Sequence, residues 1–284
     1  MKIGVSAFAW TSDFDSRYFG ILPDLREHGI SAFEIPMFDP RAISAAPLRK
    51  ALEEAGLECT VCAILPPGIN PISPDTATRK EALAHLIRCI ETTAELGGRL
   101  IGGPLYAPIG YLPPRRRSED EWKWGVDCFQ HLGESLDANQ MTLCLGPVNR
   151  AETFFLRTAA DACALCDAAG HPRIGITIDT FHANIEEKSI AGAILAAGKR
   201  LFHVHASEND RGLLGSGHVD FAAILTALRT AGYEGRLMIE GFGYSPGNPD
   251  ALGTIWGDPQ VSPEELTFEG VKYLHHQMSQ HTRW

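Results

Sequence analysis

Short apolar runs rich in β-forming residues alternate along this chain with longer runs of helical pattern, and this alternation restricts the folds open to it. Eight such runs lie at residues 3–10, 32–37, 58–65, 99–107, 141–148, 174–180, 201–208 and 236–242. Dividing 284 residues among eight strand–helix units gives about 35 residues per unit, which is the spacing of a (β/α)₈ barrel.

An open, doubly wound sheet also alternates strands and helices, so the segment after the first strand matters. Nucleotide-binding open sheets usually carry a glycine-rich phosphate loop there. Here the first run continues into AWTSDFDSRYF, which contains neither GxGxxG nor GxxxxGK followed by Ser or Thr. We therefore predict an α/β protein in which residues 1–284 form a single (β/α)₈ TIM barrel domain.

Composition narrows the classes of partner. The chain carries a net charge of −10 at pH 7, whereas proteins that bind nucleic acid need a basic surface for the phosphates. No segment approaches the roughly 18 apolar residues of a membrane span, and the N-terminus lacks the apolar run of a signal peptide. The seven cysteines are an odd number and do not suggest a disulfide framework. We expect a cytoplasmic protein that binds neither nucleic acid nor membranes.

Side-chain parity identifies the residues that point into the barrel. Side chains alternate along a strand, and barrel chemistry sits at the carboxyl ends of the strands. Apolar positions on the last three strand runs face the helices, so Asp179, His205 and Glu240 point inward from consecutive strands. Two carboxylates and one imidazole suit a divalent cation such as Mn²⁺, Co²⁺ or Mg²⁺. The alternative is that each is an ordinary polar residue at a strand end.

Other inward positions are less easily assigned. His203 lies one layer deeper than His205, and packing is favoured over metal binding for it. Glu34 also points inward, from the second strand. On the fifth strand, Leu143 and Leu145 face outward, so Gly146 occupies the level at which the other strands carry candidate ligands. A fourth ligand is expected at this position, and glycine has no side chain to provide it.

Four segments of the C-terminal half resemble the ketose 3-epimerases, the tagatose/psicose 3-epimerase group of the xylose-isomerase-like barrels: PVNRAET, IDTFHANIEE, HVHASENDRG and MIEGF. The N-terminal half is similar in layout only. The resemblance implies a divalent metal that is held by residues of strands five to eight and contacts O2 and O3 of a ketose. It also implies a homodimer or a homotetramer.

Carried over residue by residue, the resemblance gives each matching position a role. Asp179, His205 and Glu240 match metal ligands. Three more residues match side chains that contact substrate hydroxyls in the family, and these are Glu152, His182 and Arg211.

The departure from the family is Gly146, where the resemblance implies a glutamate. In the family, the glutamate at this position and the one that matches Glu240 are the two catalytic acid–base groups, one on each face of C3. Because Gly146 lacks that carboxylate, the chain is expected to bind metal weakly and to be a poor two-base epimerase. Three explanations stay open. The position was changed from Glu, by laboratory design or by natural loss; or the protein performs one-base chemistry such as aldose–ketose isomerisation; or another carboxylate, Glu34 or Glu152, takes over.

The leading hypothesis is thus a metal-dependent sugar epimerase or isomerase. Rivals are an inosose dehydratase-like or hydroxypyruvate isomerase-like relative and a non-catalytic sugar-binding protein. Phe8, Trp10 and Phe242 sit at strand ends and either stack on a sugar or pack the rim. The loop 241–250 is suited to closing over a substrate, and no Lys/Arg cluster marks a phosphate pocket, which favours an unphosphorylated sugar.

Overall fold

A computed structural model of the chain describes residues 1–242 and 261–280. Eight parallel strands pair in chain order and close into a barrel, with the first strand also pairing with the last. The predicted α/β fold, a (β/α)₈ TIM barrel, is confirmed. The strands are β1 Lys2–Ser6, β2 Ala32–Met37, β3 Glu58–Ala63, β4 Leu100–Gly103, β5 Thr142–Leu145, β6 Ile174–Asp179, β7 Leu201–Ala206 and β8 Arg236–Ile239.

Helices surround the barrel and connect its strands. Their bounds are α1 Leu22–Glu27, α2 Ala45–Ala55, α3 Thr76–Glu95, α4 Glu119–His131, α5 Gly133–Ala138, α6 Ala159–Ala169, α7 Thr180–Glu186, α8 Ile190–Ala197, α9 Phe221–Thr230 and α10 Pro263–Gln280. Local signals set the helix ends. Asp220 caps α9 by accepting a hydrogen bond from the Ala223 amide at 2.9 Å. Gly56 ends α2 with φ +68°, a conformation that glycine adopts without strain.

The strands bury an apolar outer face and a partly polar inner face. Phe33, Ile35 and Val204 are fully buried between the barrel and its helices. Between β6 and β7 the register places Asp179 beside His205, so these inward side chains reach the same height. Parity along the strands thus sets which side chains meet at the mouth of the barrel.

The second strand has the predicted bounds, 32–37, whereas the other seven predicted strands run further at their carboxyl ends than the observed ones. The first strand stops at Ser6, and residues 7–9 form a 3₁₀ turn. The fourth strand stops at Gly103, whose φ of +130° is closed to other residues, and the following Pro104 has no N–H to continue the ladder. The shortened strands leave room for the loops that complete the mouth.

The seven cysteines are all free thiols, in line with the expectation that they form no disulfide framework. Among residues 1–242 and 261–280, no helix is long and apolar enough to cross a membrane. Most of the predicted closing loop, residues 243–250, lies outside the described residues.

Candidate active site

A cavity of about 150 Å³ opens at the carboxyl ends of the strands. The seven positions to which the family resemblance gives a role all line this cavity, and they are Gly146, Glu152, Asp179, His182, His205, Arg211 and Glu240. Residues from β5, β6, β7 and β8, and from the loops that follow them, therefore meet in one place, as the fold requires of an active site in a barrel of this kind.

Asp179, His205 and Glu240 form a compact buried cluster. One potential ligand atom from each lies within 4.8 Å of the others, and each residue is at most 7% exposed. Asp179 ends β6 and caps α7, because its Oδ1 accepts a hydrogen bond from the Phe181 amide at 2.9 Å. That contact fixes one carboxylate oxygen and leaves Oδ2 to face the cluster.

The guanidinium of Arg211 bridges the two carboxylates of this cluster. Its Nη1 lies 2.9 Å from Asp179 Oδ2 and 2.7 Å from Glu240 Oε2. The guanidinium stacks between two rings, 4.1 Å from the centroid of Phe181 and 4.8 Å from that of Phe242. Arg211 itself has a left-handed backbone, with φ +64°, which is uncommon for arginine and turns its side chain back over the strands.

Burial and the neighbouring charges set the ionisation of the cluster. Burial would raise the pKa of Glu240, but His205 and Arg211 hold that pKa well below its usual range. Burial raises the pKa of Asp179, against the pull of Arg211. Burial would lower the pKa of His205, but the carboxylates of Glu34 and Glu240 raise it. The cluster is therefore a set of mutually compensated charges.

The donor atoms of the cluster fit a divalent cation. Two carboxylates and one imidazole within 4.8 Å of one another are ligands that Mn²⁺, Co²⁺ and Mg²⁺ accept. Arg211 contacts one oxygen of Asp179 and one of Glu240, so the guanidinium already neutralises part of the negative charge that would attract a cation. Asp179, His205 and Glu240 are the residues that would hold the metal.

Beneath this cluster, Glu34 joins the two histidines of β7. Its Oε2 accepts a hydrogen bond from His203 Nε2 at 2.8 Å, and its Oε1 lies 2.9 Å from His205 Nε2. The Glu34 side chain is fully buried. Burial would raise the pKa of Glu34, but the rings of His205 and His203 lower it to about 2. Glu34 is thus a buried anion that orients His205, and His203 is tied to it one layer below the cavity.

Gly146 forms a bare patch of the cavity just after β5, beside Thr177 of β6. Its amide donates to the Gly103 carbonyl at 2.9 Å, and its own carbonyl accepts from Tyr106 Oη at 3.1 Å. A Cβ atom at this position would lie 3.0 Å from Thr177 Cγ2. The β4 and β5 backbones therefore approach closely where the resemblance implies a glutamate.

Glu152 enters the cavity from the loop that follows β5. Asn149 holds it through a hydrogen bond of 2.7 Å from Nδ2 to Glu152 Oε1. The Asn149 amide also donates to His182 Nδ1 at 3.2 Å. Burial raises the pKa of Glu152, although the Asn149 hydrogen bond opposes the rise. Burial lowers the pKa of His182 to about 4, so this ring is neutral.

Several contacts of the site were not found by reasoning on the sequence. Asn149 lies inside the PVNR segment but was given no role. Ser207 has the same strand parity as His205 and accepts from Arg211 Nη1 at 2.9 Å, so extending the alternation by one step would have found it. Of the three aromatic residues left open, Phe8 and Phe242 line the cavity, whereas the Trp10 Nε1 donates to Glu264 at 2.8 Å.

Comparison with known proteins places this geometry in a family. Residues 22–274 match the family described as xylose isomerase-like TIM barrel. The chain is 34% identical to a ketose 3-epimerase of Arthrobacter globiformis, over 94% of this chain and 93% of that protein. It is 30% identical to a probable ketose 3-epimerase of Synechocystis sp., over 96% of each.

A solved structure has the same fold. The crystal structure of D-allulose 3-epimerase from Methylomonas sp. in complex with D-allulose superposes with a TM-score of 0.91 at 27% identity, covering 98% of this chain and 97% of that one. The chain belongs to the xylose isomerase-like TIM barrel family and, within it, to the isomerase-class enzymes known as ketose 3-epimerases.

Proposed function

We propose that this protein is a divalent-metal-dependent sugar epimerase that inverts C3 of a ketose through an enediolate. The observation that carries the proposal is the buried cluster of Asp179, His205 and Glu240, whose potential ligand atoms lie within 4.8 Å of one another at the cavity. Membership of the ketose 3-epimerases supports the reaction class, and the relative from Methylomonas that binds D-allulose supports a sugar substrate.

The chemistry follows from the residues that line the cavity. When bound to Asp179, His205 and Glu240, a divalent cation supplies a Lewis acid that polarises the carbonyl and acidifies the adjacent C–H. Glu240 is ionised and buried, as a base that exchanges the C3 proton needs to be. Arg211 and His182 contact the substrate hydroxyls and orient the ketose over this base.

We infer a slow epimerisation from the lack of a side chain at Gly146. Inversion at C3 requires one proton acceptor and one proton donor on opposite faces of the carbon. The cluster of Asp179, His205 and Glu240 offers three ligands, and Gly146, where a fourth is expected, has no side chain. We therefore infer weaker metal binding and slower epimerisation than in relatives with a carboxylate there.

A second candidate function is one-base isomerisation between an aldose and a ketose. Gly146 favours it, because proton transfer along one face needs only one carboxylate, and Glu240 provides that. An inosose dehydratase-like activity and a non-catalytic sugar-binding role are the remaining alternatives. Arg211 is the only lysine or arginine among the described residues that line the cavity, which supports an unphosphorylated sugar.

Three further predictions belong to this proposal. Residues 1–284 form one domain, the protein assembles as a homodimer or a homotetramer, and it works in the cytoplasm on small sugars. Size-exclusion chromatography coupled to light scattering tests the second of these directly.

Solvent-deuterium exchange tests the proposed reaction. The purified protein is freed of metal with EDTA, reloaded with Mn²⁺, Co²⁺ or Mg²⁺, and incubated with D-psicose or D-fructose in D₂O. We expect metal-dependent deuterium incorporation at C3, together with the C3 epimer. Incorporation at C1 with formation of an aldose would support the one-base isomerase, and no exchange with any ketose would support the sugar-binding protein.

A further inference from the structure

We propose that Glu152 exchanges the substrate proton on the face of C3 opposite Glu240, in place of the carboxylate that Gly146 cannot provide. This inference rests on the proposed function. It assigns Glu152 a role in proton transfer in addition to the hydroxyl contact that the family resemblance implies.

The structure removes the other candidate carboxylate. Glu34 is fully buried, its two oxygens lie 2.8 Å from His203 and 2.9 Å from His205, and it does not line the cavity. A carboxylate in that position orients a ring and has no path to a substrate carbon. Of the two carboxylates that the sequence offered as substitutes, only Glu152 reaches the cavity.

The remaining titratable groups at the cavity are otherwise engaged. Asp179 caps α7 and contacts Arg211. The neutral His182 ring uses Nδ1 to accept the hydrogen bond from the Asn149 amide. Burial raises the pKa of the Cys62 thiol well above its usual range, so this group keeps its proton. Among the described lining residues, Glu152 is the carboxylate outside the metal cluster.

Glu152 lines the cavity but lies apart from Glu240, with the His182 ring between it and the metal cluster: His182 Nδ1 is 4.0 Å from Glu152 Oε1 and His182 Nε2 is 3.6 Å from Asp179 Oδ2. Glu152 follows β5, the strand that leads into Gly146, whereas Glu240 follows β8, three strands away around the closed barrel. Its loop is fixed, because its amide donates to Asn149 O and its carbonyl accepts from the Gly110 amide, both at 2.9 Å. The carboxylate therefore has a defined place at the cavity that Glu240 also lines.

One oxygen of Glu152 is free to exchange a proton. Asn149 holds Oε1, while no hydrogen bond to Oε2 exists within residues 1–242 and 261–280. The side chain is 28% exposed, which permits proton exchange with water. Burial raises the pKa of Glu152 from its usual value, which suits a carboxyl group that must donate a proton.

The proton transfers balance. In one direction the C3–H bond breaks, the proton passes to the Glu240 carboxylate, and the electron pair enters the C2–C3 enediolate. The carboxylic acid of Glu152 then delivers its proton to the other face of C3, the electron pair returns to form the new C3–H bond, and the carbonyl is restored. Exchange of both carboxyl groups with water resets their protonation, and the reverse reaction uses them in the opposite order.

The test separates exchange from inversion. Wild type, Glu152→Gln, Glu152→Asp and the double variant Glu152→Gln/Gly146→Glu are loaded with Mn²⁺ and incubated with D-psicose and, separately, with D-fructose in D₂O. NMR follows deuterium at C3 of the recovered sugar and the appearance of the other epimer. Both sugars are needed because Glu240 reaches the C3 hydrogen of only one of them.

We expect Glu152→Gln to lower inversion by about a hundredfold or more, while one of the two sugars still exchanges its C3 hydrogen within about threefold of the wild-type rate, because Glu240 remains. Glu152→Asp keeps a carboxylate and should retain part of the inversion. In the double variant, the new carboxylate at position 146 should recover inversion at least about tenfold over Glu152→Gln. Thermal unfolding of each variant verifies that the fold is kept.

Two results would overturn the assignment of Glu152 and leave the proposed function standing. One is wild-type inversion in Glu152→Gln. The other is a parallel loss of exchange and inversion in that variant, with no recovery in the double variant, because a side chain that only binds the sugar affects both measurements equally. Wild-type protein that exchanges no hydrogen with either sugar would overturn the proposed function itself, and the role of Glu152 with it.

Discussion

The two sides of the cavity are built differently. On one side, which we call the charged wall, Asp179, His205 and Glu240 lie at the carboxyl ends of β6, β7 and β8. Glu240 contacts His205, and Arg211 contacts both Asp179 and Glu240. On the other, the bare wall, Gly103 ends β4 and Gly146 follows β5, and the two meet through a backbone hydrogen bond of 2.9 Å. One wall is crowded with titratable side chains and the other presents main chain.

The difference shows how the charged wall is stabilised in the absence of a fourth ligand. Two buried carboxylates at close range repel each other and resist ionisation. Arg211 contacts both of them, and Glu34 balances His205 from below. The bare wall needs no such compensation, but a buried Thr177 hydroxyl beside Gly146 has no hydrogen-bond partner within the described residues. A side chain added at Gly146 would contact Thr177, whose methyl group limits the space and whose hydroxyl is available for a hydrogen bond.

The largest effect is expected from Glu240→Gln on the charged wall. The variant loses a metal ligand and the base at C3, so deuterium exchange at C3 in the presence of Mn²⁺ should fall by about a thousandfold or more. The matched control is Glu234→Gln, which changes an exposed glutamate just before β8. Wild-type exchange in Glu240→Gln would show that the charged wall is not the catalytic side.

Glu34→Gln tests whether the layer beneath the charged wall positions His205. Loss of the buried anion removes the partner of His205 Nε2, and partners of this kind are worth about 10- to 100-fold in metal affinity. Isothermal titration with Mn²⁺ measures the change, and Glu95→Gln on an exposed helix end is the control. An unchanged Mn²⁺ affinity in a folded variant would mean that His205 keeps its orientation without Glu34, or is not a ligand.

The variant Gly146→Glu adds a carboxylate to the bare wall. A fourth carboxylate should raise Mn²⁺ affinity by about tenfold, because ligand charge and number set the affinity of hard cations. Gly146→Gln has nearly the same shape without the charge and serves as the control. Equal affinities in the two variants would show that position 146 does not face the metal.

The smallest effect is expected from Gly146→Ala, which adds only a Cβ atom. That atom would lie 3.0 Å from Thr177 Cγ2, and overpacking of this kind costs about 1 kcal/mol of unfolding free energy. Thr177→Ser removes the opposing methyl group and should recover most of the loss. Chemical denaturation of the two single variants and the double variant gives the coupling between the positions, and additive effects would place the steric limit elsewhere.

Reasoning on the sequence found the strand order and the inward residues but not the contacts between distant segments. Parity along a strand is a local property, so the sequence was enough to place Asp179, His205 and Glu240 on one side of the barrel wall. Glu34 contacts both His203 and His205, and Glu34 and His203 are 169 positions apart in the chain. The alternation of side chains along a strand does not say which inward side chains touch. The sequence left open whether Trp10 stacks on a sugar or packs at the rim. In the structure its Nε1 donates a hydrogen bond to Glu264 of α10.

The sequence by itself determined the barrel, because eight recurring apolar runs of alternating parity have few other ways to bury their outer faces. It also determined the chemistry of each strand end, including the lack of a side chain at Gly146. The tertiary structure alone decided how these groups compensate one another. Arg211 reaches both carboxylates and Glu152 reaches the cavity only because a left-handed backbone and the Asn149 loop direct them there, and such geometry depends on contacts between segments that are far apart in the chain.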